Sequence, residues 1–142
     1  MIRLLLFYYA LCLFFTNMNA QQIDTNLVLD IKYVNIGSYS FAYFLPGIVN
    51  STYKSVVYNN EILVIDKSKK VRPYIVTSYD FSYMDENNRY KTITIEGNKI
   101  IEPIISVAAQ TQKGFCVYFD NIYAKHIQTA KLIRVSGMTL MK

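Results

Sequence analysis

A short run of basic side chains is the part of this sequence best suited to bind a ligand. Lys67, Lys69, Lys70 and Arg72 lie close together, and Tyr74 follows them. Basic groups in one loop can hold the anionic groups of a polysaccharide or a lipid headgroup, and exposed tyrosine rings stack on sugars. A hairpin whose lysines protect a sheet edge would carry the same residues. The sequence therefore predicts one candidate ligand-binding surface and leaves a purely structural role open.

Cysteine and histidine are too scarce to build a catalytic or metal site. His126 is the only histidine, and Cys116 is the only cysteine after Cys12. A cysteine nucleophile needs a neighbouring base and exposed, electropositive surroundings. Cys116 instead lies in an apolar run, where a cysteine usually acts as a small buried hydrophobic residue. One histidine and one cysteine also cannot supply the ligands of a zinc site, so we predict no catalytic residue, no metal and no cofactor.

Carboxylates offer an alternative, which is acid–base hydrolysis of a glycosidic bond. Asp66, Asp80, Glu96 and Glu102 lie in or near predicted strands, but nothing in their spacing places two of them across a cleft. Asp80 differs from the others because it lies between two aromatic residues and should point away from the aromatic face. The side chains of residues 85–88 carry oxygen ligands suited to calcium, but they lack the EF-hand spacing, and a polar hairpin tip explains them.

The elements that carry these residues are strands, because apolar side chains recur at every second position. Odd-numbered residues from 27 to 33 are apolar, and residues 39–45 alternate in the same way. In residues 74–83 the odd positions form one aromatic-rich face, and residues 89–96 return as the second strand of a hairpin. Further strands are predicted at residues 61–66, 100–107, 115–119 and 131–136.

Three segments have a weaker pattern. Pro103 interrupts residues 100–107, which indicates an edge strand or a bulge. Residues 121–129 have room for one helical turn, and residues 138–142 have no clear partner. About seven to eight short strands separated by turns predict an all-β fold, an antiparallel β-sandwich.

The strand layout resembles that of small immunoglobulin-like sandwich domains exported by bacteria. The resemblance is carried by the turn-ending strand at residues 33–37 and by a glycine-led apolar strand at 114–119, with a connector at 122–128 and a last strand at 130–135. The Cys…Trp…Cys signature of true immunoglobulin domains is absent, since the chain has no tryptophan. The resemblance implies an immunoglobulin-like sandwich and a cell-envelope setting, and it implies no catalytic residue.

The first twenty residues have the layout of a secretory signal peptide. Arg3 precedes an apolar stretch at residues 4–15, and Ala20 is a suitable small residue before the cut. A helix of that stretch is about 18 Å long, which is short of the roughly 30 Å hydrocarbon core. Met18 departs from the small-x-small pattern, so the cleavage position and an uncleaved anchor stay open. We predict a signal peptide at residues 1–20, one domain at 21–142, and no transmembrane helix after signal removal.

These observations predict an exported, non-enzymatic protein that is secreted or periplasmic and acts by binding or structure. The net charge of +5 does not indicate nucleic acid as a partner, because an exported chain rarely meets it. A cell-surface polysaccharide or an envelope protein is the expected partner. A carbohydrate-binding module and a small carboxylate-based hydrolase are the alternatives.

Overall fold

The computed structural model describes residues 23–44 and 52–142. The predicted signal peptide, residues 1–20, lies outside the described residues. The predicted predominance of antiparallel β-structure is confirmed, with one short helix in addition among the residues described. The strands are β1 Tyr33–Ile36, β2 Tyr39–Phe44, β3 Tyr53–Tyr58, β4 Glu61–Asp66, β5 Tyr74–Met84, β6 Tyr90–Glu96, β7 Cys116–His126, β8 Leu132–Val135 and β9 Met138–Met141, and the helix is α1 Glu102–Gln110.

Seven of these strands form one sheet in which neighbouring strands are antiparallel. Its order is β1-β2-β9-β7-β5-β6, and β8 pairs with β7 beside β9. The long strand β7 serves both halves of the sheet, because residues 116–119 pair with β9 and residues 122–125 pair with β8. The remaining strands, β3 and β4, form a separate hairpin.

The β3–β4 hairpin packs against the sheet and is bound to it through the backbone. Ser55 N donates to Ser136 O (3.2 Å) at the point where the chain passes from β8 to β9. At the other end of the hairpin, Ile62 N donates to Asn98 O (2.7 Å). Sheet and hairpin enclose one apolar core, whose largest fully buried side chains include Tyr79, Phe41, Phe81, Phe119, Ile36 and Ile62.

A bulge changes which face of β5 is buried. The alternation predicts one inward face made of odd residues throughout, but Tyr74 and Val76 are buried in the first part and Tyr79 and Phe81 in the second. The pairing of β5 with β7 shifts register between Val76 and Ser78. An extra residue in one strand reverses the side-chain parity beyond it. The prediction of a single odd face was therefore wrong for the start of β5.

The strand predicted at residues 100–107 was wrong, because this segment contains helix α1. Pro103 lies in the first turn of the helix, where its missing N–H would have no intrahelical partner in any case. Ile104 and Ala108 are buried at helical spacing. The proline that argued for a strand edge thus marks a helix start. None of the described helices is long and apolar enough to cross a membrane.

Two further predictions near the end of the chain were wrong. Residues 121–126 continue β7 instead of forming a helical turn, with Asn121 at φ 47° where the strand is irregular. Residues 138–141, for which no partner was apparent, form β9 in the interior of the sheet between β2 and β7. Local sequence alone does not reveal these partners, because they lie far apart in the chain.

Candidate functional site

The turn that follows β4 is organised by one carboxylate. Asp66 Oδ1 accepts hydrogen bonds from Ser68 N (2.9 Å) and Lys70 N (3.1 Å), and Ser68 Oγ donates to the same oxygen (2.6 Å). These hydrogen bonds, led by that of the Ser68 hydroxyl, lower the pKa of Asp66. Lys69 adopts a left-handed conformation at φ 64°. We call residues 66–70 the basic turn.

A groove of about 450 Å³ lies beside the basic turn, between the β1–β2 end of the sheet and the β3–β4 hairpin. We call it the lysine groove. Its size falls in the range of small-molecule sites. Its apolar lining consists mainly of Leu29, Ile31, Ala42, Tyr43 and Ile65.

Tyr43 is the most constrained part of this apolar lining. Its hydroxyl donates a hydrogen bond to Ser55 O (2.8 Å) in the hairpin, which ties the two walls of the groove together. Burial raises the pKa of Tyr43 to about 12. Leu29 and Ile65 beside it are almost fully buried, so the lining belongs to the core and does not depend on ligand for its shape.

The polar lining of the groove is dominated by one sign of charge. It contains Lys32, Lys54, Lys67 and Lys69, against a single carboxylate, Asp66. Lys69 Nζ lies 2.6 Å from Asp30 Oδ1, and this hydrogen bond lowers the pKa of Asp30.

The other three lysines of the groove lack a close acidic partner within the described residues, and only Lys32 adds to the electrostatic attraction on Asp30. Lys32, Lys54 and Lys67 form no ion pair within residues 23–44 and 52–142. The only carboxylate in the lining, Asp66, already accepts from its own backbone and lies 3.8 Å from Arg72 Nη1. The groove therefore combines an apolar floor with positive charge that Asp30 compensates only in part, through its ion pair with Lys69 and a weaker attraction to Lys32.

The five residues of the predicted ligand-binding surface are divided by the fold. Lys67 and Lys69 line the lysine groove, whereas Lys70, Arg72 and Tyr74 do not. Lys70 is half-buried, and its backbone pairs with Val28.

Tyr74 points into the protein, whereas Arg72 is only partly buried. Arg72 Nε is buried and has no hydrogen-bond partner within the described residues. Tyr74 is only 8% exposed, and its ring packs against Tyr53 (5.2 Å between centroids) and His126 (4.9 Å). Burial raises the pKa of the Tyr74 hydroxyl. These two side chains contribute to packing and leave no ring surface for a sugar.

Lys32 and Lys54 were missed in the sequence. Lys32 lies just before β1, and Lys54 lies in β3, so each comes from a different element than the basic turn. Lys32 had one detectable signal, which is its place on the polar side of an alternating apolar run. Lys54 falls in an irregular stretch and had none.

The residues considered for catalysis are not brought together. Cys116 begins β7 and His126 ends it, so about 30 Å of extended strand separates them. Asp80 and Asp120 are direct cross-strand partners on the outer face of the sheet, not across a cleft. Asp80 Oδ2 accepts a hydrogen bond from Asn121 Nδ2 (2.7 Å), while its Oδ1 accepts one from Thr94.

A second pocket of about 330 Å³ adjoins the turn between β5 and β6, which we call the acidic turn, residues 85–89. Asp85 Oδ1 accepts from Asn87 N (2.9 Å) and Arg89 N (2.8 Å), and Asp85 Oδ2 lies 3.4 Å from Arg89 Nε. Its carboxylate is thus occupied by its own turn. Among the residues described, no three His, Cys, Asp or Glu side chains are grouped as metal ligands.

The chain matches no protein-family model, and it has no significant similarity to a curated protein sequence or to a solved structure.

Proposed function

We propose that this chain is an exported, non-enzymatic binding protein of the cell envelope or extracellular space, and that it binds a fatty-acid anion in the lysine groove. The observation that carries the proposal is the groove itself, with an apolar floor and three lysines that form no ion pair within the described residues. Export is supported by the signal-peptide layout of residues 1–20.

The chemistry of the lining favours an amphipathic anion over a fully polar ligand. Ile31, Tyr43 and Phe44, which are not fully buried, would cover an acyl chain, which gains roughly 25 cal/mol for each Å² of apolar surface removed from water. The lysine ammonium groups would face the carboxylate at the open side. A volume of about 450 Å³ suits a single acyl chain better than a two-chain phospholipid.

We also propose that residues 21–142 form a single domain related to small exported immunoglobulin-like sandwiches. The support is the packing of the β3–β4 hairpin against the seven-stranded sheet, so that two β-layers enclose one core. The signal-peptide part of the proposal is tested by the mass of the exported protein. Loss of residues 1–20 is expected, and an intact amino terminus would contradict cleavage.

Binding is tested by titrating the purified protein with a dansyl-labelled fatty acid and with its methyl ester. Replacing both Lys32 and Lys54 by Glu should weaken binding of the acid at least about tenfold, because each lysine near an anionic group contributes about 1 kcal/mol. The matched control replaces the exposed Lys125 and Lys131 by Glu, which changes the net charge equally but lies outside the groove. That control should bind within about twofold of wild type.

Three outcomes would overturn the proposed ligand. They are no binding of the acid by wild-type protein, equal binding of acid and ester, and equal weakening by the groove and control pairs. The first would leave the groove without a ligand of this class. The second would remove the role of the lysines, and the third would reduce the effect to net charge.

Carbohydrate binding is a second candidate, and one observation favours it. Tyr33 is 70% exposed and Phe44 is 44% exposed where they line the lysine groove, and exposed aromatic rings can stack on sugars. An acidic polysaccharide would also satisfy the lysines. A glycan array separates the two candidates. A hit that is lost in Tyr33→Ala, with no fatty-acid binding, would favour the carbohydrate.

A further inference from the structure

Strand β6 forms one end of the large sheet, and its outer side has no backbone partner among the described residues. Two hydrogen bonds fix which of its groups point outwards. Asp85 N donates to Arg89 O (2.9 Å) and Gly97 N donates to Thr77 O (2.7 Å), one at each end of the β5–β6 ladder. Hydrogen-bonded pairs alternate in antiparallel ladders, so residues 91, 93 and 95 face β5. The N–H and C=O groups of residues 90, 92, 94 and 96 therefore face outwards.

Apart from one lysine, this edge lacks the features that usually prevent strand pairing. It contains no proline, and its pairing with β5 runs without a register shift from Ser78↔Glu96 to Met84↔Tyr90. Its only charged side chains are Lys91 and Glu96. The opposite edge of the sheet, β1, has four residues against seven in β6. A long, regular and unprotected edge is a template for another strand.

We propose that β6 pairs in antiparallel fashion with β6 of a second copy of this chain, with the two-fold axis at Ile93. In this register Tyr90 lies opposite Glu96 of the partner copy, and Thr92 lies opposite Thr94. It is the register that pairs all seven residues of β6. Registers centred on Thr92 or Thr94 pair only residues 90–94 or 92–96.

The side chains of β6 are compatible with this self-pairing. Thr–Thr pairs are favourable across antiparallel strands. The half-buried Ile93 would meet its own copy at the axis and extend the core side of both sheets. Lys91 would lie opposite Ile95, so no like charges oppose each other directly. Because the contact is symmetric, it closes at a dimer.

The inference is independent of the proposed ligand, because the lysine groove lies towards the β1–β2 end of the sheet and β6 is at the other end. Sedimentation velocity over a concentration series tests it. Wild-type protein should show a monomer–dimer equilibrium with no larger species.

Thr92→Pro is the informative variant, since it removes an outward N–H and leaves the ladder to β5 intact. Thr92→Val is the matched control, because both variants lose the hydrogen bond between Thr92 Oγ1 and Ser82 Oγ. The proline variant should weaken dimerisation at least about tenfold, and the valine variant should change it less than about threefold. A monomeric wild type, or equal dimerisation by both variants, would overturn the proposal.

A crosslink tests the register without relying on a proline. In a Cys12→Ala, Cys116→Ala background, Ile93→Cys should give a covalent dimer on oxidation, because the two copies of residue 93 are directly opposite in a closely spaced pair. Thr92→Cys and Thr94→Cys should stay uncrosslinked. Crosslinking at position 92 or 94, and none at 93, would overturn the axis at Ile93.

Discussion

The basic turn and the acidic turn have the same backbone and opposite surroundings. In each, the first aspartate accepts hydrogen bonds from the N–H groups two and four residues later. In each, the fourth residue is left-handed, Lys69 at φ 64° and Asn88 at φ 56°. One turn adjoins the lysine groove and the other adjoins the second pocket.

The two turns differ in the side chains that take no part in the hydrogen bonds of the turn. Both aspartates are occupied by their own turns, so neither offers a free carboxylate to its pocket. The basic turn adds Lys67 and Lys69 to the lining of its pocket, whereas the acidic turn adds Glu86 and Asn88. The two turns have the same geometry. The charge of each pocket is therefore determined by side chains that form no hydrogen bond within the turn.

The largest expected effect comes from exchanging the turns. Replacing residues 67–70 by those of the acidic turn, as Lys67→Glu, Ser68→Asn, Lys69→Asn and Lys70→Arg, should preserve the fold because the backbone geometry is the same. Fatty-acid affinity should fall at least about tenfold, since two lysines are removed from the groove. Fluorescence titration and circular dichroism measure the two effects. The reciprocal change in residues 86–88, to Lys-Ser-Lys, is the control and should leave groove affinity unchanged; a loss there would contradict the assignment.

Acid should open both turns together. The pKa of Asp66 is lowered mainly by the Ser68 hydroxyl and that of Asp85 mainly by Arg89 N–H, so both carboxylates prefer to be charged in the folded state. Their contribution to stability is complete above the ordinary pKa of 3.8 and is lost as the pH falls through the lower folded values. Tm measured from pH 6 to pH 2.5 should therefore fall below about pH 4.

The Asn variants separate the two turns in acid. Asp66→Asn and Asp85→Asn should each flatten part of the decrease in Tm, because the amide oxygen accepts without titrating. If only one variant flattens the curve, the two turns are not energetically equivalent.

A tyrosine in each pocket sharpens the comparison further. Tyr43→Phe should destabilise the protein by about 1 kcal/mol, because it removes the donor to Ser55 O. Tyr83→Phe in the second pocket should change stability by less than about 0.5 kcal/mol. Urea denaturation measures the free energy of unfolding of both variants. Equal losses would contradict a stabilising hydrogen bond between Tyr43 and Ser55 across the walls of the lysine groove.

High pH gives an independent check on Tyr43. Burial raises its pKa to about 12, so the stability that its neutral form contributes is full below pH 10 and is lost as the pH rises through about 12. Ultraviolet titration should show a late-ionising tyrosine that is missing in Tyr43→Phe. An unchanged titration curve would contradict the burial of this hydroxyl.

The smallest expected effects concern the left-handed residue of each turn. Lys69→Gly should stabilise the protein by about 0.5–1 kcal/mol, because a side chain disfavours this conformation. Asn88→Gly should change stability by only a few tenths of a kcal/mol, since asparagine tolerates it. Lys69→Gly should also weaken fatty-acid binding, so stability and affinity move in opposite directions. Urea denaturation and fatty-acid titration of the same samples would measure these opposite changes in stability and affinity.

The sequence predicted local structure better than pairing between distant segments. Period-two patterns identified β2 and the β5–β6 hairpin, because these segments alternate over adjacent residues. The first strand was placed wrongly at residues 27–33, since β1 is Tyr33–Ile36. The pattern failed at Thr77, where a bulge reverses the parity and turns Tyr74 inwards. It failed again at α1, because Pro103 is compatible with both a strand edge and a helix start.

The candidate site was predictable only in its local part. Lys67 and Lys69 belong to one turn and were found together as a basic cluster. Lys32, just before β1, and Lys54, in β3, reach the same groove from other parts of the chain, and no local pattern reports that proximity. Arg72 resembled its neighbours in charge, but its guanidinium lies beside Asp66 and does not line the groove.

The position of β9 has a consequence for how the molecule folds. It is the last described strand in the chain, yet it is the only link in the sheet between β2 and β7. Until β9 pairs with them, the β1–β2 hairpin cannot join the other strands of the sheet, and the edges of β2 and β7 stay unpaired. Such long-range pairing slows folding and prolongs exposure to aggregation. We therefore expect the native sheet to form only after β9 has been synthesised, in one late step that removal of residues 138–142 would abolish.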